Sequence, residues 1–402
     1  MTVNHSAILK PRQSKSPQLA FAHRAARSWL LDAVFPLWGG SGIDRVNGGF
    51  FEKIDQAGAI VPNVPRRVRV VPRQIYSFVV AGRWGWQGPW AACVDHGAEA
   101  LFEHCIAADG LCVSTYAEDG TPINAAYDFY DNAFALFALA ELAMHPKWRA
   151  RAVSAADTMM NEIEARFSHP VIGFTEDDQG GVPLRANPHM HMLEACLAQA
   201  KLPGASPRWQ RIADHIVELA MTRFIDSETG VLREFFDYQW QPMPDARGRL
   251  IEPGHQFEWS WLLHQWNSSG GRRDVAHAAD RLCAIGEMHG VNAYGLAVDE
   301  LWDDFMPRSP TARTWPQTER VKACIEQAAQ ATDIDARERW EGKAADALTA
   351  MMRFAATETL GLWFDRFDAD GQPIPGPAPA STLYHIVCAM ETCGGYLEAT
   401  TR

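Results

Sequence analysis

Paired cysteines, metal-binding signatures and long runs of one character are all missing from this 402-residue chain. Its eight cysteines, Cys93, Cys105, Cys112, Cys196, Cys283, Cys324, Cys388 and Cys393, form no Cys-x-x-Cys pair. Most fall in Ala/Leu-rich helical stretches, which reads as buried thiols in a reducing, cytoplasmic compartment. No His-Glu-x-x-His pattern occurs, so no metal is expected. No glycine-rich phosphate loop or basic nucleotide cradle is visible, and no cofactor is expected. There is no long basic run and the formal net charge is −12, which makes nucleic acid and anionic membrane poor partners. The longest apolar run, AFALFALA, is far too short to span a bilayer. The opening MTVNHSAILKPRQSKSPQ is polar, broken by proline, and lacks the apolar stretch of a signal peptide. Residues 1–17 are therefore expected to be a flexible segment and 18–402 a single catalytic domain, in a monomer or homodimer.

What is present is helical periodicity. Apolar residues recur at i, i+3, i+4 and i+7 in about a dozen segments, beginning near residues 18, 73, 89, 129, 146, 188, 206, 254, 271, 316, 336 and 381. Before every second segment stands a glycine followed by a short β-like stretch, usually closed by Asp/Gly/Pro turn chemistry. The six are GGFFEKIDQAG from Gly48, GLCVSTYAEDGTP from Gly110, GFTEDDQGGVP from Gly173, GVLREFFDYQW from Gly230, GLAVDELWDD from Gly295 and GLWFDRFDADGQP from Gly361. They recur at intervals of roughly 60 residues, the mark of a repeat architecture. Short turns such as MHPKW, KLPGASPRW and NSSGGRRD imply antiparallel helix neighbours. Twelve helices in six hairpins predict an all-α (α/α)6 barrel, with long loops and short β-segments at one end.

In such a barrel the inner helices are buried on all sides, so a polar residue there is costly unless it lines a cavity. The unusual polar residues fall at the starts of every second helix. They are Arg73; Tyr127, Asp128 and Asp131; Asn187, His189, His191 and Glu194; His255, Glu258 and Trp259; Trp315, Gln317 and Glu319; and His385. The intervening helices, such as PWAACVDHGAEALFEHC and RERWEGKAADALTAMM, read as amphipathic outer helices. Positions i and i+2 of a helix lie about 200° apart. His189 and His191 therefore do not share a ligand; Asn187, His191 and Glu194 share one face, and His189 is a packing residue. His255 and His385, one unit apart in a ring of six, are placed to flank a small substrate. Two bases on either side of one carbon suit proton removal and return. Fifteen tryptophans suit either a large helical core or sugar-ring stacking.

RQIYSF, YDFYDNAF, NPHMHMLEA, PGHQFEWSWLL, WPQTE and LYH, taken in order, resemble the N-acylglucosamine 2-epimerase family, which includes cellobiose 2-epimerases and aldose–ketose isomerases such as D-mannose isomerase. The resemblance runs from about Arg73 to His385. It implies an (α/α)6 barrel and cofactor-free proton transfer on an open-chain monosaccharide, with His255 and His385 as acid/base catalysts. By the same resemblance Asn187 and His191 contact substrate, Glu258 is the carboxylate near His255, Glu319 follows Trp315-Pro-Gln-Thr, and Tyr127 is the tyrosine of the second inner helix. Arg73 matches the arginine of the first inner helix, with Arg69 as a rival. RANPHMHMLEA resembles the mannose-isomerase branch more than the acylamino-sugar branch. The alternatives from the residues alone are a 2-epimerase, a barrel glycoside hydrolase using a carboxylate pair, and a non-catalytic sugar-binding protein with a Trp-rich mouth.

Overall fold

The computed structural model describes residues 16–177, 181–268 and 271–399. All twelve expected helical segments are present. The first runs as α1 (Pro17–Trp29), a π-helical turn (Leu30–Val34) and α2 (Phe35–Gly40). The others are α3 (Val70–Arg83), α4 (Trp90–Ala100), α5 (Phe129–Ala143), α6 (Arg149–Phe167), α7 (Ala186–Ala200), α8 (Arg208–Leu219), α9 (Pro253–Asn267), α10 (Arg273–His289), α11 (Thr314–Gln330), α12 (Ile334–Phe354) and α13 (Leu383–Ala399). Helices α3, α5, α7, α9, α11 and α13 form a closed inner ring, α13 returning to pack on α3. The others lie outside, each inner helix packing on an outer partner. The architecture is the expected (α/α)6 barrel.

Burial separates the two rings. From Thr314 to Ala328, α11 is buried at every position but Trp315. On α10 only Val275, Ala279, Leu282, Cys283 and Gly286 are buried, the spacing of a one-faced helix. The inner helices all begin at the same end. Pro72, Pro188, Pro253 and Pro316 sit within the first three residues of α3, α7, α9 and α11, where a missing N–H breaks no intrahelical bond. Asp128 caps α5 by accepting from the Tyr130 and Asp131 amides.

Of the expected flexible segment, residues 1–15 lie outside the described residues, while Ser16 and Pro17 belong to the barrel wall. The Ser16 hydroxyl caps α1 and its amide donates to Glu341 on α12 at 2.8 Å.

The six repeat glycines all adopt left-handed backbone, with φ between 74° and 90°, a region that costs a side-chain-bearing residue energy. Each opens a loop that carries short strands into the mouth of the barrel. The strands are β1 (Lys53–Ile54), β2 (Arg66–Arg67), β3 (Thr115–Tyr116), β4 (Pro122–Asn124), β5 (Leu184–Arg185), β6 (Phe235–Phe236), β7 (Leu250–Ile251), β8 (Glu300–Trp302), β9 (Pro307–Ser309), β10 (Ala312–Arg313), β11 (Arg366–Phe367), β12 (Pro373–Ile374) and β13 (Ala378–Pro379). They pair antiparallel between neighbouring loops, as β2–β3, β5–β6, β7–β8 and β10–β11, and β1–β13 joins the first loop to the last.

A second device ties loops to helices. The fourth residue of α5, α7, α9 and α11 clamps the loop backbone just past the repeat glycine. Asn132 accepts from the Cys112 amide at 2.9 Å and His189 Nε2 from Phe174 at 3.1 Å. Gln256 bonds both backbone groups of Leu232, each at 2.9 Å, and Gln317 both of Ala297, each at 2.8 Å. Replacing Gln317 by Leu leaves two buried backbone groups without partners, at about 1–3 kcal/mol each. Chemical denaturation of Gln317→Leu should show a loss of at least about 2 kcal/mol.

Candidate active site

Residues from all six inner-helix starts meet in one cavity of about 360 Å³ at the mouth. Tyr130, Asn187 and Trp315 are second residues of their helices, and His191 and Glu258 sixth residues; all five line it. At 100° per residue these two positions lie within about 40° of each other. The clamping fourth position points about 160° away. His189 is thereby explained: its Nδ1 donates to the Arg185 carbonyl at 3.0 Å while Nε2 serves the loop. Burial pushes its pKa down to about 3, so it is a neutral structural group, as expected of a packing residue.

His255 and His385 share this cavity, both beside the Trp315 ring, at centroid distances of 5.1 and 5.8 Å. Their environments differ. His255 Nδ1 donates to Glu234 at 2.9 Å, with Glu252 at 3.9 Å. Burial opposes the charge, but Glu234 and Glu252 outweigh it and push the pKa up to about 10. His385 Nδ1 donates to Glu319 at 2.9 Å. Burial, reinforced by Arg73 and Lys322, holds it well below the usual imidazole range. At neutral pH one imidazole is charged and the other is a free base. Environments that push paired groups apart in this way suit one group to donating a proton and the other to accepting one.

Around the pair stand further polar groups. Asn187 Oδ1 and both carboxyl oxygens of Glu258 are buried and make no hydrogen bond among the described residues, Glu258 having Lys322 at 3.8 Å. Burial and neighbouring Glu319 hold the Glu258 carboxyl well above its usual range, in the form that donates a hydrogen bond. Arg73 donates to the Tyr130 hydroxyl and to the Ser381 carbonyl at 3.1 Å. His191 donates to Glu194 at 3.5 Å, and burial pushes its pKa down to about 3. Six inner-helix N-termini converge here and add partial positive charge.

Several sequence expectations change. Tyr127 precedes α5 and stacks on Phe167 at 3.6 Å, away from the cavity; Tyr130 faces it instead. Arg69 pairs with Asp131 at 2.8 Å and does not line the cavity, which leaves the position to Arg73. The carboxylate on His255 is Glu234, from the preceding loop, rather than Glu258 on its own helix. Glu319 stands behind His385 and not in the lining. Trp315 is the one tryptophan lining this cavity; Trp38, Trp240, Trp259 and Trp363 are core. Missed altogether were Glu234, Glu252, Lys322 and the rim cations Lys53, Arg313 and Arg366. Glu234 carried a signal: Glu52, Glu234, Asp299 and Asp365 each stand four residues after a repeat glycine.

Three groups, His191/Glu194/Glu258, Glu234/Glu252/His255 and Glu258/Glu319/His385, bring ligand-type atoms within 4.8 Å of one another. Their carboxylates already serve protein cations and hydroxyls: Tyr384 donates to Glu194, Lys322 pairs with Glu319, and Arg313 reaches Glu252 at 3.4 Å.

The mouth of this helical barrel brings two imidazoles, shifted in opposite directions, together with buried polar groups that make no hydrogen bond. The family model for N-acylglucosamine 2-epimerase (GlcNAc 2-epimerase) matches residues 49–389, and the chain belongs to that family. It is 45% identical to mannose-6-phosphate isomerase of Rhizobium meliloti (strain 1021), over 90% of this chain and 94% of that one. Its fold matches cellobiose 2-epimerase from Bacillus thermoamylovorans B4167, with a TM-score of 0.83 at 18% identity over 94% and 99% of the two chains. It also matches a D-mannose isomerase, with a TM-score of 0.82 at 18% identity over 96% and 100%.

The Glu234 contact generates a pH test. A raised histidine pKa keeps the acid charged until pH climbs through it, so the alkaline limb of kcat/KM follows His255. Glu234→Gln should move that limb down from near 10 by roughly one to three units, the usual effect of an adjacent carboxylate. A pH–rate profile checks this, and an unmoved limb would reject the pairing.

Proposed function

We propose that this sugar isomerase/epimerase interconverts a mannose-type aldohexose and its ketose by cofactor-free proton transfer through an enediolate. The observation that carries the reading is the pair of imidazoles in opposite protonation states in one cavity. We assign residues from Ser16 onward to one catalytic barrel.

The open-chain aldose lies between the two rings. His385 Nε2, its Nδ1–H engaged by Glu319, removes the C2 proton. The C–H electrons form the C1–C2 double bond, and the carbonyl electrons move onto O1. His255, charged, and Glu258, neutral, supply protons or hydrogen bonds to that oxygen, and the Arg73 guanidinium adds fixed positive charge. His255 gives its proton to O1 and takes the proton of O2 as the C2 carbonyl forms, while His385 returns its proton to C1, giving the ketose and restoring both imidazoles. Delivery to the other face of C2 gives the epimer instead. The second reading, 2-epimerisation, is favoured by an imidazole on each side of the site. Isomerisation has the support of the 45% identical relative, a mannose-6-phosphate isomerase by name. A hydrolase needs a pair of carboxyl groups flanking the glycosidic bond; Glu252, Glu258 and Asp365 line the cavity, but Glu319, the partner expected for Glu258, stands behind His385.

The rim supports an anionic form of the sugar. Lys53, Arg67, Arg313 and Arg366 line the cavity mouth of a chain whose net charge is −12. Arg313 and Arg366 are direct cross-strand partners on β10 and β11. Arg313 is already paired with Asp299 and Glu252, and Arg366 lies 3.8 Å from Asp365, so a phosphate would share these cations with carboxylates. All eight cysteines are free and buried, which supports a reducing, cytoplasmic setting. No helix among the described residues is long and apolar enough to cross a membrane.

Proton NMR in D2O with mannose, mannose 6-phosphate, fructose, glucose and N-acetylmannosamine tests the reaction. Deuterium at C2 with ketose appearing is the expected result; a C2-labelled epimer without ketose selects the second reading, and no label at all rejects both. His385→Asn should lower the rate at least about a hundredfold, the scale of general-base catalysis, with the fold intact by circular dichroism. Lys53→Ala/Arg366→Ala should lower the preference for the phosphorylated over the plain sugar, as a ratio of kcat/KM, by about tenfold or more.

A further inference from the structure

Beneath the cavity floor lies a lysine that the proposed chemistry does not use directly. Lys322 is fully buried. Its ammonium pairs with Glu319 on its own helix, lies 3.8 Å from Glu258, and sits 4.0 Å from the Trp261 ring centroid. Glu319 is also fully buried, and its other oxygen accepts from His385. The chain of contacts therefore runs ammonium, carboxylate, imidazole, cavity. A fully buried lysine is rare unless a partner requires it. Here three buried carboxyl groups, Glu194, Glu258 and Glu319, crowd one another with this single ammonium among them.

We propose that Lys322 is a positioning residue that sets the protonation state of the base. Its charge keeps Glu319 ionised, and ionised Glu319 can only accept a hydrogen bond, so it holds the His385 proton on Nδ1 and leaves Nε2 free toward the cavity. The same charge disfavours a resting imidazolium on His385, so that the base is empty when substrate arrives. The inference rests on the proton-transfer reading for its consequence but not for its geometry. Other charges face His385 as well: Arg73 from α3, His191 and Glu194 from α7, His255 and Glu258 from α9. On its own helix Tyr384 and Cys388 stand near the same cluster, and α1 meets α13 further along, where His23 bonds Met390. Those groups are common to every variant below, so a shift between variants reports Lys322.

Glu319 and His385 are hydrogen-bonded at 2.9 Å, so the protonation of each acts on the other. Removing one positive charge beside the pair makes it hold its proton more tightly, wherever that proton sits. Lys322→Met should therefore move the acid limb of kcat/KM upward by about one pH unit or more, with activity returning as pH rises. The isotopically labelled His385 imidazole, followed by NMR in the unliganded full-length protein, should show the same upward titration. Lys322→Met/Glu319→Gln removes the ion pair as a neutral unit and should bring the His385 titration back down. A rate loss in Lys322→Met with limb and titration unmoved would reduce the lysine to packing and overturn the proposal. Should that variant fail to fold, Glu319→Gln decides, because it leaves Lys322 uncompensated and must not raise the His385 titration; a rise overturns the proposal. The NMR titration needs no turnover, so failure of the sugar reaction and failure of this inference are told apart.

Discussion

Charge without water is the constraint from which this site follows. Inner helices walled by other helices offer no solvent to an ionised side chain, and the penalty of several kcal/mol per buried ion must be met by partners. The two imidazoles meet it in different ways. His255 is surrounded by carboxylates, Glu234 in contact and Glu252 close by, and keeps its proton. His385 has one carboxylate, already paired with an ammonium, and Arg73 near, so it gives its proton up. The same residue type is thus held charged at one position and neutral at the other within one cavity. The difference lies in the number of anions behind each ring rather than in the ring itself.

Helical phase distributes the remaining tasks. On α7 the second and sixth positions look into the cavity, and on α5, α7, α9 and α11 the fourth looks at the returning loop, whereas Arg73, fourth on α3, faces the cavity. That single rotation separates chemistry from support, and it decides between His191 and His189, two residues apart in sequence. Both are neutral and both are buried. One faces the space a substrate would fill, while the other has spent both nitrogens on backbone groups.

Much of this was legible before any coordinates. Twelve periodic segments, six glycines and the short turns defined the barrel, because a repeat buried between identical neighbours leaves a strong periodic trace. The histidines stood out because imidazoles at the starts of apolar helices are conspicuous. Partners from distant segments were harder to see. Glu234 reaches His255 from a loop 21 residues upstream, and no helical spacing links them, whereas Glu258 at i+3 looked like the natural companion. Tyr127 and Tyr130 differ by three residues and one helix start; the Asp128 cap places only the second inside the ring. Lys322 reads as an ordinary solvated lysine until α11 is known to have no solvent side. Arg69 and Arg73 are one turn apart, and only the Asp131 ion pair shows which is already engaged.

The staples at the fourth helical positions have an evolutionary corollary. Four of the mouth loops are anchored near their beginning by a side-chain clamp and near their end by the helix they feed. The stretch between can lengthen, shorten or change composition without displacing an imidazole. A lineage built on such a scaffold can change what the rim admits through insertions there, while the two imidazoles below keep their places.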